Sequence, residues 1–352
     1  MQTSPVALAL IGCGQIGRLH AERIRADGRG RIVAVSDPHR ESSERLRREL
    51  FPDAMVFESF QELLDCEAFD AAVVCSPTNL HFDQASMLLD RGIPTLCEKP
   101  LADSREWILS LIERTRKGSG VFFRPPLPGD NSEVRDRGPR KTPDPVAPLL
   151  SIAYQRRYWA TYRTLRREVQ SGRWGRVQSV TTHSSERWQQ TIAGTWRDDP
   201  AMNPGGFIGD AGSHKIDMVF FVTNLALAEV FAHADNRGSR VPIGTTVSGR
   251  LTNGVALSMN FIGDAQHWRE DFCVHCDHAD LSIHDGRLWL ARDNRIEPVT
   301  DLEPESNPNA AFLDCLLDGA PNQAPPECAL PVWDFTQAVL SSARTGHVVG
   351  LG

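Results

Sequence analysis

The stretch VALALIGCGQIG, residues 6–17, decides the fold of the first part of the chain. Its opening VALALIG is apolar without alternation, which is typical of a strand buried on both faces of a sheet. The glycines that follow are spaced as GxGxxG at Gly12, Gly14 and Gly17, and the amphipathic residues 15–28 predict a helix directly after the turn. A glycine-rich turn between a buried strand and a helix is the fingerprint of a dinucleotide-binding unit.

The same rhythm continues beyond this unit. Short apolar runs alternate with amphipathic helical stretches, and the runs predict strands at residues 6–12, 31–37, 55–57, 71–76, 94–97 and 121–123. Strands that alternate with helices predict a parallel sheet with helices on both faces. We therefore expect an α/β fold whose residues 1–123 form a Rossmann domain with a doubly wound parallel sheet.

The rhythm breaks at residues 124–148, which hold seven prolines and many charges. Such a segment cannot propagate a helix or a sheet, so we interpret it as an insertion loop. Its PPLP could serve a proline-binding module, but a plain insertion is favoured. Residues 149–352 follow as a second α/β domain, with a strand at 149–158 and then the alternating runs of an open, mostly antiparallel sheet. Within these runs, TNG at 252–254 and HDG at 284–286 predict tight turns between strands.

Composition excludes several classes of function. The chain has 352 residues, 41% of them hydrophobic and 24% charged, as expected of a soluble globular protein. Its net charge of −7 gives no basic face for nucleic acid. No apolar run is long enough to cross a membrane, and the apolar residues 216–232 are interpreted as a buried helix plus a strand. Eight cysteines in a chain of this length favour reduced thiols and a cytoplasmic location.

Asp37 supports the interpretation of the glycine turn as a dinucleotide-binding site. It stands at the end of the second predicted strand, twenty residues after Gly17, where it could accept hydrogen bonds from the adenosine ribose and repel a 2′-phosphate. NAD is therefore favoured, although the nearby Arg40 could tolerate NADP. The predicted cofactor-binding residues are Gly12, Gly14, Gln15, Ile16, Gly17, Asp37, Ser76, Pro77, Thr78, Asn79, His81, Glu98 and Lys99.

Lys99 follows the fifth predicted strand, in the sequence CEKP. Ligands of doubly wound sheets bind outside the carboxyl ends of the strands, so this lysine is expected near the nicotinamide. A second candidate pair occurs in NPGGFIGDAGSHKID, residues 203–217, where Asp210 and His214 are expected at i and i+4 on one helix face. A lysine and a histidine could polarise an alcohol oxygen and take its proton.

These motifs resemble the glucose–fructose oxidoreductase and inositol dehydrogenase (Gfo/Idh/MocA) family almost from end to end. The resemblance rests on GCGQIGRLH, SPTNLH, CEKP, QRRY, GGFIGDAGSH and NPNAAFLDCLLDG. It implies a Rossmann domain, a second domain often used for oligomerisation, and substrates that are sugars, cyclitols or their derivatives. It also implies that Lys99, Asp210 and His214 are the catalytic residues, with His214 accepting the proton.

Further substrate-binding candidates lie in the second domain, where aromatic and hydrogen-bonding side chains suit a polyol. They are Arg157, Tyr158, Arg187 and Trp196, together with Lys99, Asp210 and His214. Cys273, His275, Cys276 and His278 also invite a zinc interpretation, but alternation along a strand would divide them between two faces, so no metal is predicted.

Three departures from the family pattern are visible. Residues 124–148 are extra, Cys276–Ala279 replaces a Gly-x-x-Gly turn, and Phe207 stands where a third glycine is usual. The last change is expected to narrow the substrate space.

The sequence thus predicts an NAD(P)-dependent dehydrogenase or reductase that interconverts a secondary alcohol and a ketone on a sugar or cyclitol. The expected assembly is a homo-oligomer, either a dimer or a tetramer. Two alternatives stay open. One is glycoside cleavage assisted by a recycled hydride, and the other is a regulator that binds dinucleotide and sugar without turnover.

Overall fold

The computed structural model describes residues 4–66, 68–116 and 148–351. Its strands are β1 Val6–Ile11, β2 Gly30–Ser36, β3 Met55–Phe57, β4 Ala71–Val74, β5 Thr95–Cys97, β6 Leu150–Ile152, β7 Val177–Ser185, β8 Leu227–Asp235, β9 Gly244–Leu251, β10 Ala256–Ile262, β11 Arg269–Cys276, β12 Asp280–His284, β13 Arg287–Arg292, β14 Arg295–Pro298 and β15 Val349–Gly350. Its helices are α1 Gln15–Asp27, α2 Arg40–Leu50, α3 Phe60–Asp65, α4 Thr78–Asp90, α5 Arg105–Arg116, α6 Ala160–Gln170, α7 Trp188–Ile192, α8 Gly206–Gly209, α9 Ser213–Thr223, α10 Pro308–Asp318 and α11 Ala329–Thr345.

The chain divides into two compact units. The first comprises Met1–Ala153 and Asn307–Glu327, and the second comprises Tyr154–Ser306 and Cys328–Gly352. Each unit therefore contains two separate stretches of the chain.

The first unit is built on a six-stranded parallel sheet in the order β3-β2-β1-β4-β5-β6. Its central strands are buried along nearly their whole length, as the unbroken apolar runs predict. The crossover between β3 and β4 places the carboxyl ends of β1 and β4 side by side at the switch in strand order. The predicted Rossmann sheet is confirmed.

The sixth strand differs from the prediction. Residues 121–123, predicted as that strand, lie outside the described residues, as does most of the 124–148 segment. In the structure the sixth strand is β6, which pairs with β5 although the sequence interpretation assigned residues 149–158 to the second domain. Residues 155–158 form a 3-10 helix instead of continuing the strand.

The helix α10 also belongs to the first unit rather than to the second. Its residues Phe312 and Leu313 are buried in the same apolar core as Leu8, Leu10 and Val35. An apolar helix stripe can cover either sheet, so the local pattern alone could not assign it. The described limits of the two units therefore differ from the predicted boundary at residue 149.

The second unit carries a nine-stranded sheet in the order β14-β13-β12-β11-β7-β10-β9-β8-β15. Its neighbours pair antiparallel except for β7 and β10, which are parallel. The turn signals TNG and HDG are confirmed, since Asn253 and Asp285 have φ values of 63° and 47° and each precedes a glycine with positive φ. The open, mostly antiparallel sheet is thus as predicted.

The apolar stretch 216–232 divides as expected into the end of α9 and the start of β8. Every residue of α9 is buried, so its apolar character reflects its place in the core of the unit. Within the described part of the chain, none of the helices has the length and apolar character needed to span a bilayer.

Candidate active site

The glycine turn between β1 and α1 is shaped by the side chains it lacks. Gly12 has φ of +92°, and a Cβ there would lie 2.7 Å from the backbone of Cys75. A Cβ on Gly17 would lie 1.9 Å from the carbonyl oxygen of Gly12. Around Gly14, by contrast, no described atom beyond its own stretch of backbone lies within 4 Å of the Cβ position. Gly12 and Gly17 are therefore needed for packing, whereas Gly14 leaves an open approach to the backbone.

That open approach is at the N-terminus of α1, a helix of 13 residues. Gly14, Gln15 and Ile16 are exposed, and the first turn of the helix carries no acidic residue. The N–H groups of a first turn point away from the helix and carry the positive end of its dipole. Backbone and charge at this position fit the pyrophosphate of a dinucleotide.

Asp37 lies at the end of β2, as predicted, and joins it to the glycine turn. Its Oδ2 accepts from the backbone N–H of Cys13 at 2.7 Å, and its Oδ1 accepts from that of His39 at 2.8 Å. Each carboxylate oxygen has further acceptor capacity, so ribose hydroxyls could still bind to it. The structure therefore places Asp37 beside the turn with its carboxylate held by two backbone donors.

The segment Ser76–His81 follows β4 and opens α4 with Pro77 as the N-cap. Ser76 donates through Oγ to Gln84 at 2.6 Å. The ring of His81 is 1% exposed and lies between two backbone carbonyls, that of Pro100 at 2.8 Å and that of Ser76 at 2.8 Å. Burial lowers the pKa of His81. These contacts make His81 a brace between two loops at the carboxyl edge of the sheet, while Asn79 is exposed there.

Glu98 and the half-buried Lys99 follow β5 at the same edge. The carboxylate of Glu98 receives the backbone N–H of Lys99 on Oε2 at 3.0 Å and faces His20 Nε2 from Oε1 at 3.0 Å. Burial acts to raise the pKa of Glu98, but the hydrogen bond with His20, the nearby Lys99 charge and the Lys99 backbone N–H act against it, and the net shift of its pKa is downward. His20 was not among the residues predicted from the sequence, although a histidine among arginines on the core side of α1 was a usable signal.

The segment 206–217 differs from its prediction. Helix α8 ends at Gly209, Asp210 adopts φ −92° and ψ −88°, and α9 begins at Ser213. Asp210 and His214 therefore do not lie at i and i+4 of one helix. Close packing at the start of α8 requires a glycine, because a Cβ on Gly206 would lie 2.1 Å from the carbonyl oxygen of Pro242.

Asp210 is nevertheless a buried charge with a partner. It is 6% exposed, and Arg197 Nε donates to its Oδ2 at 2.8 Å. The guanidinium of Arg197 also lies over the ring of Trp196, 4.4 Å from its centroid. Trp196, a predicted substrate contact, thus lies one step from Asp210 through Arg197, which the sequence analysis did not single out. His214, on the first turn of α9, is 7% exposed and meets the ring of Tyr154 edge-on at 6.2 Å.

Arg157 and Tyr158, two other predicted substrate contacts, are only 7% and 3% exposed. Arg157 donates to Asp217 through Nε at 2.8 Å and through a terminal nitrogen at 2.6 Å. A buried, doubly bonded pair of this kind holds the 3-10 helix to α9. Packing accounts for both residues, and their role in substrate binding stays a prediction.

Arg187 is exposed and donates to Gln190 at 3.0 Å. Phe207 is fully buried, with its ring 5.4 Å from that of Trp188 and 6.4 Å from that of Phe261. The expectation that Phe207 narrows the substrate space is therefore wrong, because its ring fills the core of the second unit.

A buried charge cluster in the second unit was not anticipated. Glu270 on β11 accepts from Arg156 at 2.7 Å and from the hydroxyl of Tyr162 at 2.6 Å, and it lies 3.0 Å from Lys215 Nζ. Burial raises the pKa of a carboxyl, but the two cations outweigh it and lower that of Glu270 to about 2. Burial lowers the pKa of Lys215. A cavity of about 290 Å³ lies beside this cluster, lined by Trp159, Tyr162, Trp268 and Glu270 among others.

The residues considered for zinc make other contacts. Sγ of Cys273 lies 3.4 Å from Nε2 of His275, whose Nδ1 lies 2.9 Å from Oδ1 of Asp280 on β12. Asp277, in the turn between β11 and β12, accepts the backbone N–H of Arg176 at 2.8 Å. In the described ranges, no group of three or more His, Cys, Asp or Glu side chains is arranged to hold a metal ion.

Comparison with known proteins follows the two parts of the chain. Residues 6–123 match the model of an oxidoreductase family with an NAD-binding Rossmann fold, Gfo/Idh/MocA, and residues 162–282 match a C-terminal domain of the same family. An inositol 2-dehydrogenase of Agrobacterium fabrum is 35% identical over 109 residues, which are 31% of this chain and 32% of that protein. A D-glucoside 3-dehydrogenase of Escherichia coli is 25% identical over 66% of this chain and 59% of its own length.

The curated relatives are thus matched over about a third to three fifths of their length. Among solved structures, the WlbA dehydrogenase of Bordetella pertussis, in complex with NADH and UDP-GlcNAcA, superposes with a TM-score of 0.78 and 20% identity, covering 99% of both chains. GenD2 from gentamicin A biosynthesis, in complex with NAD, superposes with a TM-score of 0.77 and 18% identity, covering 100% of this chain and 98% of its own. The family models match both parts of the chain, and the fold agrees with these structures. The chain therefore belongs to the Gfo/Idh/MocA oxidoreductase family, with an NAD-binding Rossmann domain at its N-terminal end.

Proposed function

We propose that the protein is an NAD(P)-dependent oxidoreductase that interconverts a secondary alcohol and a ketone on a sugar, a cyclitol or a derivative. The observation that carries the proposal is in the first unit. The glycine turn after β1, Asp37 after β2, the Ser76 loop after β4 and Lys99 after β5 all lie at the carboxyl edge of one parallel sheet. That edge is where doubly wound sheets bind dinucleotides.

In this proposal each set of residues has a separate task. The turn at Gly14 and the first turn of α1 bind the pyrophosphate, and Asp37 binds the adenosine ribose and favours NAD over NADP. NAD, when bound, supplies the acceptor for the hydride that leaves the alcohol carbon. Cofactor binding and hydride acceptance therefore involve different atoms from those that take the hydroxyl proton of the substrate.

Transfer of the hydroxyl proton of the substrate is assigned to the predicted catalytic residues. The Lys99 ammonium donates a hydrogen bond to the reacting oxygen, and the His214 imidazole takes the hydroxyl proton as the carbonyl forms. Asp210, held by Arg197, orients the substrate.

The substrate class rests on the relatives. Proteins that resemble this chain over part of their length carry the names inositol 2-dehydrogenase, D-glucoside 3-dehydrogenase and glucose-6-phosphate 3-dehydrogenase. Each name denotes oxidation of a ring alcohol, which supports a polyol ring as the substrate here. A homo-oligomer and a cytoplasmic location belong to the same proposal, and light scattering of the purified chain would test the first.

The test combines a substrate panel with one substitution. Inositols, aldoses, glucosides and aminosugars are offered with NAD and with NADP, and absorbance of the reduced nicotinamide is followed. The parent is expected to reduce NAD with at least one of them, and Lys99→Met to lower kcat by about 1000-fold while the Kd for NADH changes by less than about 3-fold. Arg31→Met, which removes an exposed charge from β2, is the matched control and should behave as the parent.

Equal turnover by Lys99→Met and the parent would remove the assignment of Lys99. Turnover of a glucoside with no net absorbance change would favour the cleavage reaction with a recycled hydride. Binding of NADH without turnover of any member of the panel would favour a regulator.

A further inference from the structure

His20 makes two hydrogen bonds that join three elements of the first unit. It lies on α1 and is 1% exposed. Its Nδ1 is 3.0 Å from Oδ1 of Asn309 at the start of α10, and its Nε2 is 3.0 Å from Oε1 of Glu98 at the end of β5. The other oxygen of Glu98 accepts the backbone N–H of Lys99 at 3.0 Å.

The orientation of the Asn309 amide decides which ring nitrogens of His20 carry a proton. As placed, Nδ2 of Asn309 is buried and meets no acceptor among the described residues, while Oδ1 faces the imidazole. An ionised Glu98, which also accepts the backbone N–H of Lys99, can only accept, so both ring nitrogens of His20 would then have to carry protons. Oxygen and nitrogen of an amide are assigned from the hydrogen-bond network, and half a turn of this amide exchanges them.

The exchanged placement resolves both difficulties. Nδ2 of Asn309 then donates to Nδ1 of His20, and the neutral imidazole donates from Nε2 to Glu98. The amide oxygen loses its partner instead, which costs less than an orphaned N–H because buried carbonyls are more often left unsatisfied.

We propose that Asn309 and His20 are positioning residues for Lys99, acting through Glu98. The direction of each hydrogen bond is then defined: Asn309 to His20, His20 to Glu98, and the Lys99 backbone N–H to Glu98. This chain of bonds sets the backbone from which the Lys99 side chain starts. The catalytic part of the inference rests on the proposed function, whereas the hydrogen-bond chain does not.

The position of the Lys99 backbone matters because a misplacement of a reacting group by about 1 Å can lower the rate about 100-fold. The strand β5 ends at Cys97, so the backbone of Lys99 is no longer held by the sheet ladder. Glu98 takes over that task, and its carboxylate would be free to rotate if His20 did not hold its second oxygen. The sequence separation of 289 residues between His20 and Asn309 shows that two distant parts of the chain must fold together to form the support.

The first test is spectroscopic and needs no substrate. In the ¹⁵N-labelled full chain, the histidine signal that disappears in His20→Gln identifies His20. We expect Nε2 to be protonated and Nδ1 to be unprotonated in the parent. We expect Asn309→Asp, which replaces the donor by an acceptor, to protonate Nδ1. A parent with Nδ1 protonated would overturn the direction of the chain.

The second test follows the amide of Lys99 by hydrogen exchange and the reaction by steady-state kinetics. In His20→Gln and Asn309→Leu, exchange at Lys99 should quicken at least about 10-fold, and kcat should fall about 10- to 100-fold with the Kd for NADH nearly unchanged. The control is Asn322→Leu, which removes bonds to Ser151 and to the Leu150 carbonyl in the same unit. It should lower stability but leave kcat and Lys99 exchange unchanged.

The outcomes separate the two ideas. If exchange at Lys99 is faster in both variants but the parent protein oxidises no polyol, the hydrogen-bond chain is supported and the proposed function is refuted. Unchanged exchange and unchanged kcat per folded molecule in both variants would refute the positioning role.

Discussion

The glycine turn of the first unit and the 206–217 segment of the second are both built around glycines, but different forces hold them. In the turn, Gly12 and Gly17 allow backbone to pack on backbone, and one carboxylate, Asp37, ties the turn to β2. The 206–217 segment is held by two ion pairs, one between Asp210 and the partly exposed Arg197 and one between Asp217 and the buried Arg157. The turn depends on the absence of side chains at two positions, whereas each ion pair depends on the presence of one particular charged partner.

Breaking the buried pair of the second segment should give the largest effect. Arg157→Met leaves Asp217, which is fully buried, without its bidentate partner. We expect the free energy of unfolding to fall by about 3–5 kcal/mol, measured by urea denaturation. The double variant Arg157→Met/Asp217→Leu should recover most of the loss, and failure to recover would mean that the arginine stem, not the charge, is what matters.

The glycine turn should respond to bulk rather than to charge. Gly17→Ala forces a methyl group against the carbonyl oxygen of Gly12 and is expected to lower the free energy of unfolding by about 3 kcal/mol. Gly14→Ala is the matched variant, with open space around its Cβ. It should cost about 0.5 kcal/mol or less. If the dinucleotide binds as proposed, Gly14→Ala still lowers the affinity for NADH, because the added methyl group lies on the side where the pyrophosphate binds. Fluorescence titration with NADH measures this change.

The charge cluster at Glu270 gives the second unit a specific response to acid. The pKa of Glu270 is about 2 in the folded chain, whereas the ordinary value is 4.5. Ionised Glu270 therefore stabilises the folded form at pH values above 4.5, and this stabilisation is lost as the pH falls from 4.5 toward 2. The loss is on the order of 3 kcal/mol, measured as urea midpoints across this range. Glu270→Gln should lack this component although it is less stable at pH 7, and an unchanged acid slope in the variant would contradict the assignment.

The smallest effect is expected at Asp210. Its partner Arg197 is about one third exposed, so the pair is partly screened by solvent. Asp210→Asn should lower the free energy of unfolding by about 1 kcal/mol. If the proposed function holds, the same variant raises KM for the substrate without changing the Kd for NADH. A loss as large as that of Arg157→Met would show that both pairs are equally desolvated and would remove the distinction between them.

The local pattern was sufficient where the physics is local. Unbroken apolar runs predicted five strands of the first sheet, the glycine spacing predicted the turn, and alternation with TNG and HDG predicted the hairpins of the second sheet. In each case the backbone conformation depends on residues within a few positions of one another. The family follows from the same motifs.

Other features depended on contacts between distant residues. The sequence alone determined that the chain has a dinucleotide-binding turn, a lysine at a strand end and the two residues Asp210 and His214. Only the tertiary structure decided that β6 and α10 complete the first unit, that Asp210 lies outside the helix of His214, and that His20 and Asn309 support Glu98. The reason is physical: an apolar stripe, a charge or an amide does not specify its partner until folding brings the two together.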